Sequence, residues 1–152
     1  LFMNVWDALS TDGRYEEFDW TIKVDPDAVL MPDRLRKHLF IHTIGSKYVV
    51  NCNKPGMVPM MFGSLEAITS QALKQYFDRK SECINGLAWH PWGEDYFMGK
   101  CLDLLGVGKV SDFAQVGDGV CTGRDCSEGS RAAFHPLKSA DKWLACFETA
   151  TR

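Results

Sequence analysis

Two aspartates one residue apart, Asp25 and Asp27, stand at the carboxyl end of the apolar run Trp20-Thr-Ile-Lys-Val24. A hard divalent cation takes oxygen ligands and keeps positions open for substrate phosphates, and a strand-end Asp-x-Asp supplies such ligands. That end of a strand is also where open α/β sheets collect their ligands. The bland alternative is an Asp-Pro turn with solvated acids. A second acidic pair, Glu94-Asp95, opens a helix after Trp92-Gly93. The helix dipole alone favours carboxylates there, and a rigid helix can equally hold one of them over a cleft as a general base. The third candidate is His135, in Phe134-His-Pro136. It is either a surface loop histidine or a third metal ligand, completing the aspartate pair from more than a hundred positions away.

The elements that must position these residues can be traced along the chain. Phe2, Trp6 and Leu9 fall at helical spacing, which predicts a helix over residues 1–11 that stops at Asp12-Gly13. Trp20 to Val24 reads as a short strand, ended by Asp-Pro-Asp. Pro32 suits a helix start, and Leu35 and Leu39 carry an apolar face to about His42, before Gly45-Ser46 breaks it. Lys47 to Asn53 reads as a second strand and Asn53-Lys-Pro-Gly56 as a turn. Ser64 is the expected cap of a helix whose stripe is Leu65, Ile68, Ala72, Leu73, Tyr76 and Phe77. Residues 86–92 read as an aromatic loop, Glu94 to Leu105 as a helix closed by Gly106, and 107–119 as holding one strand. A glycine-rich, cysteine-bearing loop fills 117–131, and Ser139 caps a last helix with Trp143, Phe147 and Ala150 inward. Strands alternating with helices argue an α/β fold: a short mixed sheet flanked by helices, with disulfide-bearing loops.

Composition narrows the function classes. The 152 residues are 45% hydrophobic and 24% charged, enough for one compact domain with a core. The net charge of −3 and the lack of a basic run argue against nucleic acid and anionic membranes as partners. No apolar run approaches the roughly 18 residues of a membrane span. Five tryptophans offer rings that stack on sugars or fill cores. Six cysteines, an even number, fit up to three disulfides and an oxidising compartment, with Cys121 and Cys126 placed to close locally. Structural zinc is the rival use of cysteine, but no Cys-x-x-Cys pair occurs.

Taken in order, the pattern is a hydrophobic strand, Asp-x-Asp, a helix, a strand, a Met/Gly-rich turn feeding a helix, a Glu-Asp helix and then a histidine. It resembles the fringe-like and β-1,3-galactosyltransferase-like glycosyltransferases of the GT-A fold. The resemblance is carried by residues 20–29, by Met61-Phe-Gly-Ser-Leu-Glu-Ala-Ile-Thr-Ser-Gln-Ala-Leu73, by 93–106 and by Phe134-His-Pro136. Its most specific part is the Glu-Asp helix with Gly99, Cys101-Leu102 and Leu105-Gly106.

The resemblance implies the C-terminal part of a catalytic domain. Residues 1–152 would form a single glycosyltransferase-like domain lacking the N-terminal nucleotide-binding half that the family places before Asp-x-Asp. By the same resemblance, Asp25, Asp27 and His135 hold Mn²⁺ against the diphosphate of a UDP-sugar. Asp95 is the base that deprotonates the acceptor hydroxyl, with Glu94 as the alternative. The turn containing Gly63 borders donor sugar and acceptor, and Trp89 and Trp92 offer faces to a sugar ring. The implied reaction is inverting hexosyl transfer to a glycan or glycoprotein in the secretory pathway, in the lumen of the Golgi or endoplasmic reticulum. Two other readings stand beside it: a non-catalytic glycosyltransferase-like subunit working with other proteins in an organelle-lumen assembly, and a carbohydrate-binding module built on the aromatic loop.

Overall fold

The computed structural model describes residues 2–42 and 45–152, so Leu1, the expected start of the first helix, lies outside the described residues. Strand β1 is Trp20–Val24, half-buried along its whole length. Trp20, Ile22 and Val24 turn to one apolar cluster, leaving Thr21 and Lys23 on the opposite face. It pairs antiparallel with β4, Leu65–Thr69, which pairs antiparallel with β3, Lys47–Val50. Strand β5, Gly108–Ser111, adds in parallel to β3, giving a four-stranded mixed sheet in the order β1-β4-β3-β5. A second mixed sheet has the order β2-β7-β6, from Val29–Leu30, Ala133–His135 and Val116–Asp118. The fold is α/β, with two small mixed sheets flanked by helices.

One face of the larger sheet is covered by α1, α3 and α4, spanning Phe2–Asp12, Ser70–Gly86 and Glu94–Leu104. Trp6, Tyr76, Phe97 and Leu102 meet Tyr48 and Ile68 there in one buried cluster. The other face takes Leu35 and Leu39 of α2, Pro32–Leu39, whose proline stands in the first turn where its missing N–H costs nothing. A third cluster joins Val29 and Phe134 to Cys146 and Ala150 of α5, Ala140–Ala150. Helix α4 ends as its sequence requires: Gly106 takes φ 77° and the Val107 N–H reaches back to the Leu102 carbonyl at 3.0 Å.

Several sequence expectations need correction. The helix expected from Ser64 begins only at Ser70, capped by the Thr69 hydroxyl, and Leu65–Thr69 is the central strand β4. All five of its residues are buried and both of its edges are paired, so tertiary pairing overrides the helical spacing of Leu65 and Ile68. The segment 107–119 holds two strands, β5 and β6, rather than one. His135 lies on strand β7, not on a loop. Helix α3 runs through Gly86, into the expected aromatic loop. Phe147 stacks on Trp143 at 5.5 Å and stays 39% exposed, while Cys146 points inward in its place.

All six cysteines form disulfides, which fits an oxidising, secretory-type compartment. Cys121 and Cys126 do not close on each other. Cys121 joins Cys52 beyond β3, Cys126 joins Cys146 of α5, and Cys83 joins Cys101 across α3 and α4. The loop between β6 and β7 is thus stapled to two different parts of the fold. No helix among the described residues is long and apolar enough to cross a membrane.

Candidate metal and base site

The chain turns sharply after β1. The Ala28 N–H donates to the Asp25 carbonyl at 3.0 Å, and β2 follows at once. Strand β2 pairs with β7, so Val29 lies opposite Phe134, and the Leu137 N–H donates to the Asp27 carbonyl at 2.8 Å. That register carries His135 across the sequence gap to the aspartates. One ligand atom each from Asp25, Asp27 and His135 lies within 4.8 Å of the other two, and His135 Nε2 is 3.3 Å from Asp27 Oδ1. Two carboxylate oxygens and one imidazole nitrogen converging in this way could hold a divalent cation. Lys138 also meets Asp27, and its ammonium holds that carboxyl below the usual carboxylate range. An open hollow of about 490 Å³ lies beside this pair, walled by Pro26, Ser139 and Trp143.

Behind the histidine sits a carboxylate that the sequence did not single out. Asp118, 1% exposed, lies directly opposite His135 in the β6–β7 register, and its Oδ2 is 2.5 Å from His135 Nδ1. Its other oxygen accepts the Val120 N–H at 2.6 Å. The Phe62 ring flanks the imidazole, with centroids 6.4 Å apart.

A second missed group binds the site together. The Lys23 ammonium is 2.7 Å from Glu66 Oε1, 2.9 Å from Glu94 Oε2 and 3.4 Å from Asp25 Oδ1. It also reaches the Gly63 carbonyl at 3.5 Å. Burial works against its charge, but Glu66 and Glu94 outweigh burial and raise its pKa. Glu66 itself is fully buried and its Oε2 meets no donor. Burial first, and then the neighbouring Glu94 carboxylate, push Glu66 well above the usual range, against the pull of Lys23. Glu94 has one further tie, the Trp6 indole N–H at 2.7 Å.

Glu94 and Asp95, adjacent in sequence, therefore face different surroundings. Asp95 Oδ2 accepts the Gly63 N–H at 2.9 Å, while Oδ1 accepts its neighbour's N–H, from Tyr96, at 2.7 Å. A Cβ on Gly63 would stand 3.3 Å from that Oδ2, a tight contact that would push the Asp95 carboxylate by a few tenths of an ångström. Asp95 also lines a cavity of about 180 Å³, walled by Met57, Val58, Met61, Tyr96 and Lys100. From Asp95 through Gly63 to Lys23 and Asp25 the contacts are continuous, so acid pair and metal candidates occupy one neighbourhood.

Trp89 and Trp92 are partly buried against the core. Trp89 packs on Phe97 at 5.6 Å and stacks on His90 at 4.3 Å, and Trp92 meets Tyr96 edge-on at 4.9 Å.

A signal for Lys23 was present in the sequence, because it is a charged residue on the strand that leads straight into Asp25, two residues before it. Asp118 gave none, since Asp in Gly-Asp-Gly reads as a turn. Compared with protein-family models and with curated proteins, the chain matches none.

Proposed function

We propose that this chain is a metal-dependent, inverting glycosyltransferase of the GT-A type, related to the fringe-like and β-1,3-galactosyltransferase-like enzymes. The donor is a UDP-sugar and the reaction is hexosyl transfer to an acceptor hydroxyl on a glycan or glycoprotein. The observation that carries the reading is the convergence of Asp25, Asp27 and His135, joined to Asp95 through Lys23 and Gly63, from three separate parts of the chain. Six paired cysteines support action in the oxidising lumen of the secretory pathway.

In this reading Asp25, Asp27 and His135 hold Mn²⁺, which when bound neutralises charge on the leaving diphosphate. The hollow beside Asp27 and Lys138 receives the phosphates. The acceptor enters the cavity at Asp95, whose carboxylate takes the proton of the attacking hydroxyl. Attack from the side opposite the diphosphate inverts the anomeric centre. Glu94, held by Lys23 and Trp6, is committed to positioning, which leaves Asp95 as the base. Gly63 holds Asp95 from the turn side through its N–H.

The test is calorimetric titration of the purified chain with UDP, with and without Mn²⁺. Binding that requires Mn²⁺ and is lost in Asp25→Ala supports the proposal. Binding of equal strength in that variant, or none in the wild type, overturns it. A non-catalytic subunit of a larger assembly predicts the second result, so the same titration separates the two.

A further inference from the structure

We infer that Asp118 is a positioning residue that fixes the tautomer and aim of His135. The inference concerns the metal site proposed above, but its first test does not depend on that proposal. A histidine ligates through a lone pair, so one ring nitrogen must be free of its proton and turned toward the cation. Which nitrogen that is depends on what the other one meets. Here Nδ1 meets Asp118 Oδ2 at 2.5 Å, while Nε2 faces Asp27 at 3.3 Å. A carboxylate accepts and cannot donate. Of the two nitrogens only Nδ1 makes a hydrogen bond, while Nε2 stands at the longer, ion-pair distance from Asp27, so the neutral ring carries its proton on Nδ1 and leaves the Nε2 lone pair on the side of the aspartates.

Asp118 is itself held from every side. Its Oδ1 is occupied by the Val120 N–H at 2.6 Å, and its carbonyl accepts the Thr122 N–H at 3.1 Å. The Gly119 N–H donates to the His135 carbonyl at 3.0 Å, tying the two backbones together. Cys121, one residue past Val120, is bonded to Cys52. Two acceptor oxygens are thus both required, one for the backbone and one for the ring. Asparagine has the same shape but only one oxygen. If that oxygen stays with Val120, the amide NH₂ faces Nδ1 and donates to it. The ring then carries its proton on Nε2, where a metal needs the lone pair.

The experiment is long-range proton–nitrogen correlation NMR of the imidazoles, recorded at a pH where the spectrum itself shows the His135 ring to be neutral. His135 is identified among the four histidines by its absence from the spectrum of His135→Gln. The expected wild-type signature is protonated Nδ1 and bare Nε2, reversed in Asp118→Asn. Unchanged thermal unfolding and intact disulfides in that isosteric variant would show that the reversal is local. A wild-type ring protonated on Nε2, or a variant ring that keeps Nδ1–H, overturns the inference whether or not the chain binds metal. Asp118→Ala serves as the second variant, with the Nδ1 preference lost rather than reversed. Titration with Mn²⁺ followed by electron paramagnetic resonance then reads the consequence, an affinity about ten- to a hundred-fold weaker in Asp118→Asn. Equal Mn²⁺ affinity in wild type and variant overturns the role at the metal. Failure of the wild type to bind Mn²⁺ overturns the metal reading and leaves the tautomer result to decide the rest.

Discussion

At the scale of single residues, the proposed chemistry depends on carboxylates being made unlike one another by their surroundings. Asp95 and Glu94 are neighbours, yet one lines a cavity and the other is locked to Lys23 and Trp6. Asp95→Asn keeps the shape and removes the proposed base, so turnover in the proposed reaction should fall about 10²- to 10⁴-fold while UDP binding is retained. A loss of similar size in Glu94→Gln, with Asp95→Asn near normal, would reassign the base. Lys23→Met leaves Glu66, Glu94 and Asp25 without their shared cation. Its side chain is 30% exposed, so the expected loss, on the order of 2 kcal/mol by denaturant unfolding, is below that of a fully buried pair.

Glu66 gives a pH test with a definite sign. Its pKa is raised in the folded chain, so the native state holds a proton that the unfolded chain releases. The stability this contributes is complete below the ordinary carboxylate range and is lost as pH rises through the elevated value. Glu66→Gln keeps the shape without titrating. Unfolding midpoints measured from about pH 5 to about pH 8 should therefore shift progressively in favour of the variant. A constant difference across that range would show that Glu66 ionises as it does in the unfolded chain.

At the scale of elements, the short sheet β2-β7-β6 decides the site. It places the strand that follows the Asp25–Asp27 turn, the histidine strand and the Asp118 strand side by side. Its strands are only two or three residues long, so their packing matters more than their ladders. Gly117 lies opposite Phe134, and a Cβ there would stand 3.1 Å from the Phe134 ring, which is fully buried. Gly117→Ala should cost about 1–3 kcal/mol and displace β7. Weaker Mn²⁺ binding should accompany that loss, because His135 follows Phe134. Unfolding and Mn²⁺ titrations on one sample check both effects.

At the scale of the whole molecule, the disulfides hold together parts that the sheets do not. Cys52–Cys121 closes a separation of 69 residues and Cys126–Cys146 one of 20. In the chain-entropy account their removal costs about 4 and about 3 kcal/mol respectively. The double change Cys52→Ser with Cys121→Ser should lower the unfolding midpoint accordingly and loosen the loop that carries Val120. Faster amide exchange at Val120 than at core positions of α3 would show that loosening.

What the sequence determined by itself is what depends on local periodicity and capping. The short strand β1, the proline start of α2, the acidic start and glycine end of α4 and the serine cap of α5 all follow from neighbours within a few positions. The candidate ligands Asp25, Asp27 and His135 were also legible as residue types. The tertiary structure alone decided that Leu65–Thr69 is a strand, since two neighbouring strands supply its hydrogen bonds. It alone chose among the cysteine pairings, because pairing depends on which backbones approach. The Asp118–His135 contact and the placing of Lys23 among three carboxylates were likewise set by register between strands distant in sequence. Cross-strand register is fixed by the burial of whole faces, and no window of neighbouring residues contains that information.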